Sequence, residues 1–163
     1  MVQIKNRHRL KNKDIRKILE ELNSIFSKSF FDFSSSVETG VIEGFDVVLV
    51  DDSVDFMRYE NALFLTLHGI NKYRPSERFV VVDMGAVGFV VNGADIMAPG
   101  IVDADTTICE GDFVWICDEK NRKPLAVGLA LMGGEQMITS KSDKAIRNIH
   151  YVGDVLWKAI SVK

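Results

Sequence analysis

The residues that most often carry catalysis or bind metal ions are few in this sequence, and their spacing suits neither role. The three histidines, His8, His68 and His150, are scattered, and Cys109 and Cys117 are too far apart to form a CxxC pair. The chain also contains no GxSxG, P-loop or HExxH motif, and no GxGxxG followed by a predicted helix. We therefore predict that the protein is not an enzyme and holds no metal ion or cofactor.

Two groups of aspartates could suggest a cation site, but their positions argue against one. Asp51, Asp52 and Asp55 lie at the end of a predicted strand. Because consecutive strand residues point to opposite faces, Asp51 and Asp52 would not converge on one ion. We interpret this group as a solvent-exposed strand end. Asp103 and Asp105 could share a face, but no third ligand is apparent near them in the sequence.

Composition and charge set the remaining limits. The 163 residues are 47% hydrophobic and 26% charged, which is ordinary for a globular protein, and the net charge is −3. No apolar run reaches the ~18 residues that span a bilayer, and no apolar signal segment opens the chain, so we expect a cytoplasmic protein without a membrane partner. Positive charge is concentrated locally: residues 1–30 carry eight Lys and Arg against three Asp and Glu, and residues 141–150 carry three against one. Such basic patches can attract a polyanion despite the negative total.

The N-terminal part of the chain is predicted to contain one clear helix and several short strands. Residues 2–10 alternate loosely and could form a strand. An apolar stripe at helical spacing then predicts a helix with Asn12 as its N-cap; the stripe consists of Ile15, Ile18, Leu19, Leu22, Ile25 and Phe26. Residues 32–45 are predicted to be a loop, residues 45–69 three short strands, and residues 68–77 a turn-rich domain boundary.

The second half changes character, because short apolar segments alternate with Gly, Pro and charged turns. The segments ERFVVVD, DFVWICDE and PLAVGLALMG are typical of buried strands, and a strand pair is expected near the C-terminus. Val87, Phe89, Val90 and Val91 are expected in the core. Many short strands with few helical residues predict a compact, mostly β barrel of about 80 residues.

One stretch of this half, VVVDMGAVGFVVNGADIMAPGIVDAD at residues 80–105, resembles the first half of a PUA domain, an RNA-binding module. The residues that carry the resemblance are Asp83, Gly85, Ala86, Asn92, Gly93, Ala94, Met97, Pro99 and Gly100. GDFVWI at 111–116, the AVGLALM strand and IHYVGDVLW at 149–157 extend it over roughly residues 76–157. With IKNRHRLKNKDIRKILEEL in front, the chain resembles an archaeal relative of the malignant T-cell-amplified sequence family.

The resemblance implies both a fold and a function. The fold is α+β, with a small N-terminal α/β domain, residues 1–75, followed by a mostly β PUA pseudobarrel, residues 76–163. The function is RNA binding in translation: initiation, reinitiation or recycling. The expected partners are a tRNA acceptor end or rRNA, the small ribosomal subunit and a density-regulated-protein-like translation factor. The alternatives are an RNA-docking module for a separate tRNA or rRNA modification enzyme, and a protein-interaction adaptor.

The candidate RNA-binding residues lie in the glycine-containing stretch and in a later basic segment. They are Gly85, Asn92, Gly93, Ala94, Asp95, Met97, Pro99, Gly100, Lys141, Lys144 and Arg147. A secondary basic surface would consist of Arg7, Arg9, Lys11, Lys13, Arg16 and Lys17. The lysines and arginines would attract phosphate.

The glycines of this stretch allow two interpretations. Gly93 and Gly100 lack a Cβ, so a ribose-phosphate backbone could approach their amides, and an amide-lined turn can hold phosphate. Alternatively, Gly85 and Gly93 provide only left-handed backbone or close packing. In the same conservative interpretation, Met97 fills a gap in the core and the N-terminal charges form a solvated helix face.

Overall fold

The computed structural model describes residues 3–161, which form two compact units. The first unit contains residues 3–75 and 155–161, and the second contains residues 76–154. The chain therefore passes from the first unit to the second after residue 75 and returns to the first unit at its C-terminus. This arrangement differs from the sequence-based division, which places residues 155–161 in the second domain.

The secondary-structure elements are numbered in chain order through both units. They are β1 (Lys5–Arg9), α1 (Asn12–Asn23), β2 (Val37–Ile42), β3 (Phe45–Val50), β4 (Ser53–Tyr59), β5 (Ala62–Leu65), α2 (Leu67–Tyr73), β6 (Phe79–Val82), α3 (Met84–Val90), β7 (Ile96–Met97), a 3₁₀ turn (Ala98–Gly100), β8 (Ile101–Ala104), β9 (Phe113–Asp118), β10 (Pro124–Ala130), α4 (Gly134–Thr139), β11 (Lys144–Tyr151) and α5 (Val155–Ser161). Of the helices within residues 3–161, none has the length and apolarity required to cross a membrane.

The first unit is an antiparallel five-stranded sheet in the order β1-β2-β3-β4-β5, with α1 packed near β5. The predicted apolar stripe of α1 faces inward, and Ile15, Ile18 and Leu22 are buried. The predicted N-cap is wrong by one residue. The cap position is occupied by Lys11, whose backbone is extended and whose side chain makes no capping hydrogen bond. Asn12 is already helical, so its side chain cannot act as the cap.

Two segments predicted as loops contain regular structure. Part of the segment 32–45 forms the strand β2, because its backbone pairs with both β1 and β3. α2 begins just before the predicted boundary at residues 68–77 and extends into it. The Thr66 hydroxyl caps this helix by accepting a hydrogen bond from the Gly69 amide at 3.0 Å, and Arg74 ends it in the left-handed conformation with φ of 48°. Pairing and capping therefore outweigh the polar composition of both segments.

α5 belongs to the first unit because its apolar face is buried there. Leu156 is fully buried. The cluster around it consists of Ile42, Val47, Leu49 and Val54, with Ala159 and Ile160 partly buried against it. Removal of this apolar surface from water, at roughly 25 cal/mol per Å², favours the position of the helix on the first unit.

Asp55 is buried, which corrects its interpretation as part of a solvent-exposed strand end. Asp51 and Asp52 do form an exposed turn between β3 and β4. Lys72 Nζ lies 3.0 Å from Oδ2 of Asp55, and the Tyr73 hydroxyl donates to the same oxygen. Burial, together with this hydrogen bond, raises the pKa of Tyr73. The charge of Asp55 is thus compensated by α2; among residues 3–161 no cluster of three or more His, Cys, Asp or Glu could hold a metal ion.

The second unit is a six-stranded sheet in the order β7-β11-β10-β9-β6-β8. β6 and β9 are parallel, and the other neighbouring pairs are antiparallel. Its core contains buried residues from the strands and from both helices, such as Ile116 of β9, Val90 of α3 and Met137 of α4. The predicted fold class, a small α/β domain followed by a mostly β domain, is confirmed.

Candidate nucleic-acid interface

A groove of about 500 Å³ lies in the second unit, between α3 and the chain segment from residue 94 to residue 100. Six of the predicted RNA-binding residues line it, namely Gly85, Ala94, Asp95, Met97, Pro99 and Gly100. The lining is otherwise apolar except for a second carboxylate, that of Asp83. The volume lies within the range of about 300–1,000 Å³ that is typical of ligand pockets. Residues from 83–90 and from 94–100 are therefore brought together around one concave surface.

α3 forms one wall of the groove, although its sequence indicates only a short apolar segment. Asp83 is its N-cap, because Oδ1 of Asp83 accepts a hydrogen bond from the Ala86 amide at 2.9 Å. The glycines and valines of the helix have low helix propensity. Packing of its buried residue Val90 into the core of the second unit compensates for that low propensity.

Phe89 is exposed, which corrects the prediction that it belongs to the core. Its exposed fraction is 70%, whereas that of the next residue, Val90, is 2%. Successive helical residues are rotated by about 100° around the axis, so Phe89 can face solvent while Val90 faces the core. Val87 and Val91 are only partly buried. Met97 also lines the groove and is 48% exposed, so it does not fill a gap in the core as the alternative interpretation proposed.

The turn after α3 does not present its amides to the groove. The amides of Asn92, Gly93 and Ala94 donate to carbonyl oxygens in the last turn of α3, at 3.2, 3.0 and 3.0 Å. The prediction of an amide-lined phosphate site is therefore wrong for Gly93. Its φ is +88°, and a Cβ there would lie 2.8 Å from Cε1 of Tyr151. This glycine serves left-handed backbone and close packing, and neither it nor Asn92 lines the groove.

Two further glycines of the stretch, Gly85 and Gly100, keep the groove open. Neither Gly85 nor Gly100 has a positive φ. A Cβ on Gly100 would lie 3.2 Å from Cβ of Ala86, and a Cβ on Gly85 would lie 3.4 Å from Oδ1 of Asp83. Because both glycines are lining residues, side chains at these positions would narrow the groove near Asp83.

Asn148 of β11 holds the opposite end of the groove, and it is not among the residues predicted for the site. Its side-chain Nδ2 donates to the carbonyl oxygens of Val90 and Ala94, both at 3.0 Å, and its backbone amide donates to Oδ1 of Asp95 at 2.9 Å. These bonds tie the end of α3 to the following turn. No local pattern could reveal this role, since the bonded residues are more than fifty positions apart in the sequence.

The predicted basic residues of the second unit lie in or just before β11, which pairs with β7 of the groove. Lys144 pairs with Met97 in the strand register, and its Nζ forms an ion pair with Oδ2 of Asp95 at 2.9 Å. Burial opposes the charged form of Asp95, but the hydrogen bonds from Lys144 and Asn148 outweigh burial and lower the pKa of Asp95. Lys141 is exposed in the preceding loop, and Arg147 is partly buried in β11.

All six residues of the secondary basic surface of the first unit are exposed, and Arg7 and Arg16 make close contacts with other side chains. Arg7 forms a bidentate contact with Glu38, at 2.8 and 2.9 Å, and a further contact with Asp52. The hydrogen bonds to Glu38 are the main cause of a raised pKa at Arg7. Arg16 lies over the Phe33 ring, with 5.8 Å between its Cζ and the ring centroid. The remaining predicted members, Arg9, Lys11, Lys13 and Lys17, are exposed.

The fold and the groove define a PUA-domain protein. The family model of the PUA domain matches residues 78–152, and a second family model, "Domain of unknown function (DUF1947)", matches residues 6–73. The chain is 41% identical over 158 residues to an uncharacterized protein of Methanocaldococcus jannaschii, covering 96% of this chain and 98% of that protein. The crystal structure of a hypothetical protein from Pyrococcus horikoshii superposes with a TM-score of 0.88 at 35% identity, covering 95% of this chain and 99% of that one.

Several relatives of the chain are proteins named for an association with the translation machinery. It is 33% identical over 114 residues to translation machinery-associated protein 20 of Saccharomyces cerevisiae, covering 66% of this chain and 63% of that protein. The match therefore leaves more than a third of the yeast protein outside the comparison. The chain belongs to the family of proteins that combine these two domains and is homologous to the malignant T-cell-amplified sequence and translation machinery-associated proteins. The resemblance found in the sequence is confirmed.

Proposed function

We propose that this protein binds the single-stranded 3′ end of an RNA, a tRNA acceptor end, and acts in translation at the small ribosomal subunit in the cytoplasm. The observation that carries the proposal is an exposed Phe89 ring in the apolar groove of a PUA domain. The proposal assigns binding rather than catalysis to the groove, and it requires no cofactor.

An unpaired base can stack on the Phe89 ring. Proteins recognise single-stranded RNA largely by stacking splayed bases on aromatic side chains, and each such contact contributes about 1–3 kcal/mol. Met97 adds a polarizable apolar surface within the same groove. A base inside a duplex offers no free face, so the groove favours a free end or a loop over a stem.

Phosphates next to the bound base would contact the basic residues of the β11 region. Lys144 lies beside Met97 in the strand register and keeps half of its side-chain surface exposed while paired with Asp95. Lys141 and Arg147 extend the positive potential along the same segment. Neutralised phosphates release counterions, so the affinity is expected to fall steeply with salt.

The exposed lysines and arginine of the first unit supply a second place for polyanion contact. Arg9, Lys11, Lys13 and Lys17 are exposed, whereas Arg7 is already paired with carboxylates. We propose that the four exposed residues contact rRNA or a protein partner on the small subunit. The charge reversal Lys13→Glu should weaken co-sedimentation with small subunits, and reversal of the engaged Arg7 should act through folding stability instead.

Removal of the stacking ring tests the groove directly. Phe89→Ala should weaken binding to a tRNA with an intact 3′ end by about tenfold or more, and it should leave binding to the same tRNA without its unpaired 3′ nucleotides unchanged. Ile138→Ala is the matched control, because Ile138 is another exposed apolar residue of the second unit and does not line the groove. Equal affinity of the wild-type protein for both tRNAs would refute end binding.

Co-sedimentation separates the proposed role from its alternative. A translation factor should migrate with small ribosomal subunits, and the complex should contain a density-regulated-protein-like partner where the cell has one. A docking module for RNA modification should migrate with a modification enzyme instead. Absence of both RNA and ribosomal subunits from the purified material would favour the adaptor.

A further inference from the structure

The groove has chemically different ends. At one end, Lys144 lies beside Met97 and compensates the carboxylate of Asp95, while about half of its side-chain surface stays exposed to a phosphodiester. At the other end, Asp83 lines the groove next to Gly85 and Gly100. The groove is therefore suited to an RNA chain whose phosphates approach one end and whose terminal ribose occupies the other.

At the Asp83 end of the groove, two carboxylates accept hydrogen bonds from backbone amides at the start of α3. Oδ1 of Asp83 accepts a hydrogen bond from the Ala86 amide at 2.9 Å, and Oε2 of Glu119 accepts one from the Met84 amide at 2.9 Å. The amides of Met84 and Ala86, which could otherwise attract an anion, are thus already satisfied. The local charge is negative, which favours hydroxyl donors and opposes a phosphate group.

We propose that Asp83 is a specificity-determining residue that selects an RNA ending in free 2′- and 3′-hydroxyls and rejects one ending in a 3′-phosphate. This inference rests on the proposed binding of a 3′ end in the groove. The hydroxyls of the terminal ribose donate to the Asp83 carboxylate, which within residues 3–161 accepts a hydrogen bond from the Ala86 amide alone and so keeps capacity for further donors. A terminal phosphate would bring about two negative charges against that carboxylate and the neighbouring carboxylate of Glu119.

Asp83→Asn isolates the charge of this residue. Asparagine is as good an N-cap as aspartate, so the variant should keep the hydrogen bond to the Ala86 amide and melt at nearly the wild-type temperature. It removes only the negative charge that faces the groove. Glu135→Gln is the matched control, because Glu135 is an exposed carboxylate in the first turn of α4 and does not line the groove.

The experiment compares one single-stranded RNA sequence in four forms: with a 3′-hydroxyl end, a 3′-phosphate, a 2′,3′-dideoxy terminus, and as a closed circle. The wild-type protein and the Glu135→Gln control should bind the hydroxyl form about tenfold more tightly than the phosphate form, and the dideoxy form should fall between them. In Asp83→Asn, the preference for hydroxyl over phosphate should shrink to about twofold or less.

Binding of the four RNA forms distinguishes the proposed selection by Asp83 from the proposed binding of an RNA 3′ end. If the wild-type protein binds the hydroxyl and phosphate forms equally, or if Asp83→Asn keeps the full preference, selection by Asp83 is wrong while end binding stands. If the circular RNA binds as tightly as the hydroxyl form, or if no form binds, the proposed end binding fails and selection by Asp83 fails with it.

Discussion

Gly93 and the Tyr151 ring are in such close contact that a Cβ on Gly93 would lie 2.8 Å from Cε1 and 3.0 Å from the hydroxyl oxygen. The glycine is also in the left-handed region, at φ of +88°. The turn that follows α3 is therefore held by close packing onto β11 as well as by backbone hydrogen bonds. The same turn carries Ala94 and Asp95 into the groove.

Gly93→Ala should lower the free energy of unfolding by more than about 1 kcal/mol, because the alanine is strained at this φ and its Cβ collides with Tyr151. Gly111→Ala is the control for strain alone, since Gly111 has φ of +92° and, apart from its two chain neighbours, no residue within 3–161 has an atom within 4 Å of the position that its Cβ would take. Urea unfolding of both variants measures the difference. If the two variants lose the same free energy of unfolding, the contact with Tyr151 contributes nothing to the loss in Gly93→Ala.

Lys144→Glu should leave the melting temperature nearly unchanged and weaken RNA binding. Lys144 keeps about half of its side-chain surface exposed while paired with Asp95, and ion pairs of exposed side chains contribute little to folding stability. The glutamate would repel phosphate, and the log-log slope of affinity against salt should flatten by roughly one. Lys120→Glu, at an exposed position between β9 and β10, is the control. A fall in melting temperature with unchanged affinity would assign Lys144 to folding alone.

The free energy of unfolding depends on pH in part through the carboxylate of Asp118. Its carboxylate accepts hydrogen bonds from the amides of Asn121, Lys120 and Lys123, at 2.6, 2.9 and 3.1 Å, and these bonds, that of Asn121 first, lower its pKa. Because the native pKa is depressed below the usual value of about 3.9, the stabilisation is present above that pH and is lost as the pH falls through the native pKa.

Asp118→Asn should therefore destabilise the protein at pH 7 by about 1–3 kcal/mol, since an amide cannot accept all three hydrogen bonds. Its stability should also fall less than that of the wild type between about pH 5 and pH 2, by denaturant titration at each pH. Glu135→Gln, which removes an exposed carboxylate, should reproduce the wild-type profile. If Asp118→Asn loses stability at low pH as the wild type does, carboxylates other than Asp118 control the pH dependence of stability.

Leu156→Ala should destabilise the first unit, because Leu156 is fully buried among residues of β2, β3 and β4. The expected loss is about 2–5 kcal/mol. Hydrogen exchange should accelerate at amides of β2 and β3 more than at amides of β9 and β10. The neighbouring substitution Val155→Ala should have little effect, since Val155 is 53% exposed. Faster exchange confined to β9 and β10 would place the helix with the second unit.

Several features of the fold could be predicted because they depend on short-range patterns. The stripe through Ile15, Ile18 and Leu22 has the helical period, and the apolar segments at 45–50 and 113–118 form strands. The same reasoning fails at Phe89, because an apolar residue beside buried neighbours need not be buried itself. In a short helix, only one face meets the core, and the sequence does not state which.

The groove itself could be predicted in part. Residues 85–100 are a candidate site by their resemblance to a PUA domain, and six of the predicted residues among them line the groove. The contribution of Asn148 could not be predicted, and Asp83, although part of the PUA resemblance, was not predicted to line the groove. The first depends on hydrogen bonds that span more than fifty positions, and the second depends on which side of α3 faces the 3₁₀ turn.

Local patterns and resemblance in the amino-acid sequence were sufficient for the family, the fold class, the main helix, most strands, and the location of the candidate site in one stretch of the chain. Other features required the folded chain: α5 packs on the first unit, Asp55 is buried and paired, Gly93 meets Tyr151, and Phe89 faces solvent. The physical reason is the range of the interactions. Backbone sterics and periodic burial act over a few residues and leave a pattern in the sequence. Packing and hydrogen bonds between distant segments depend on where the whole chain brings them, and they leave no local pattern.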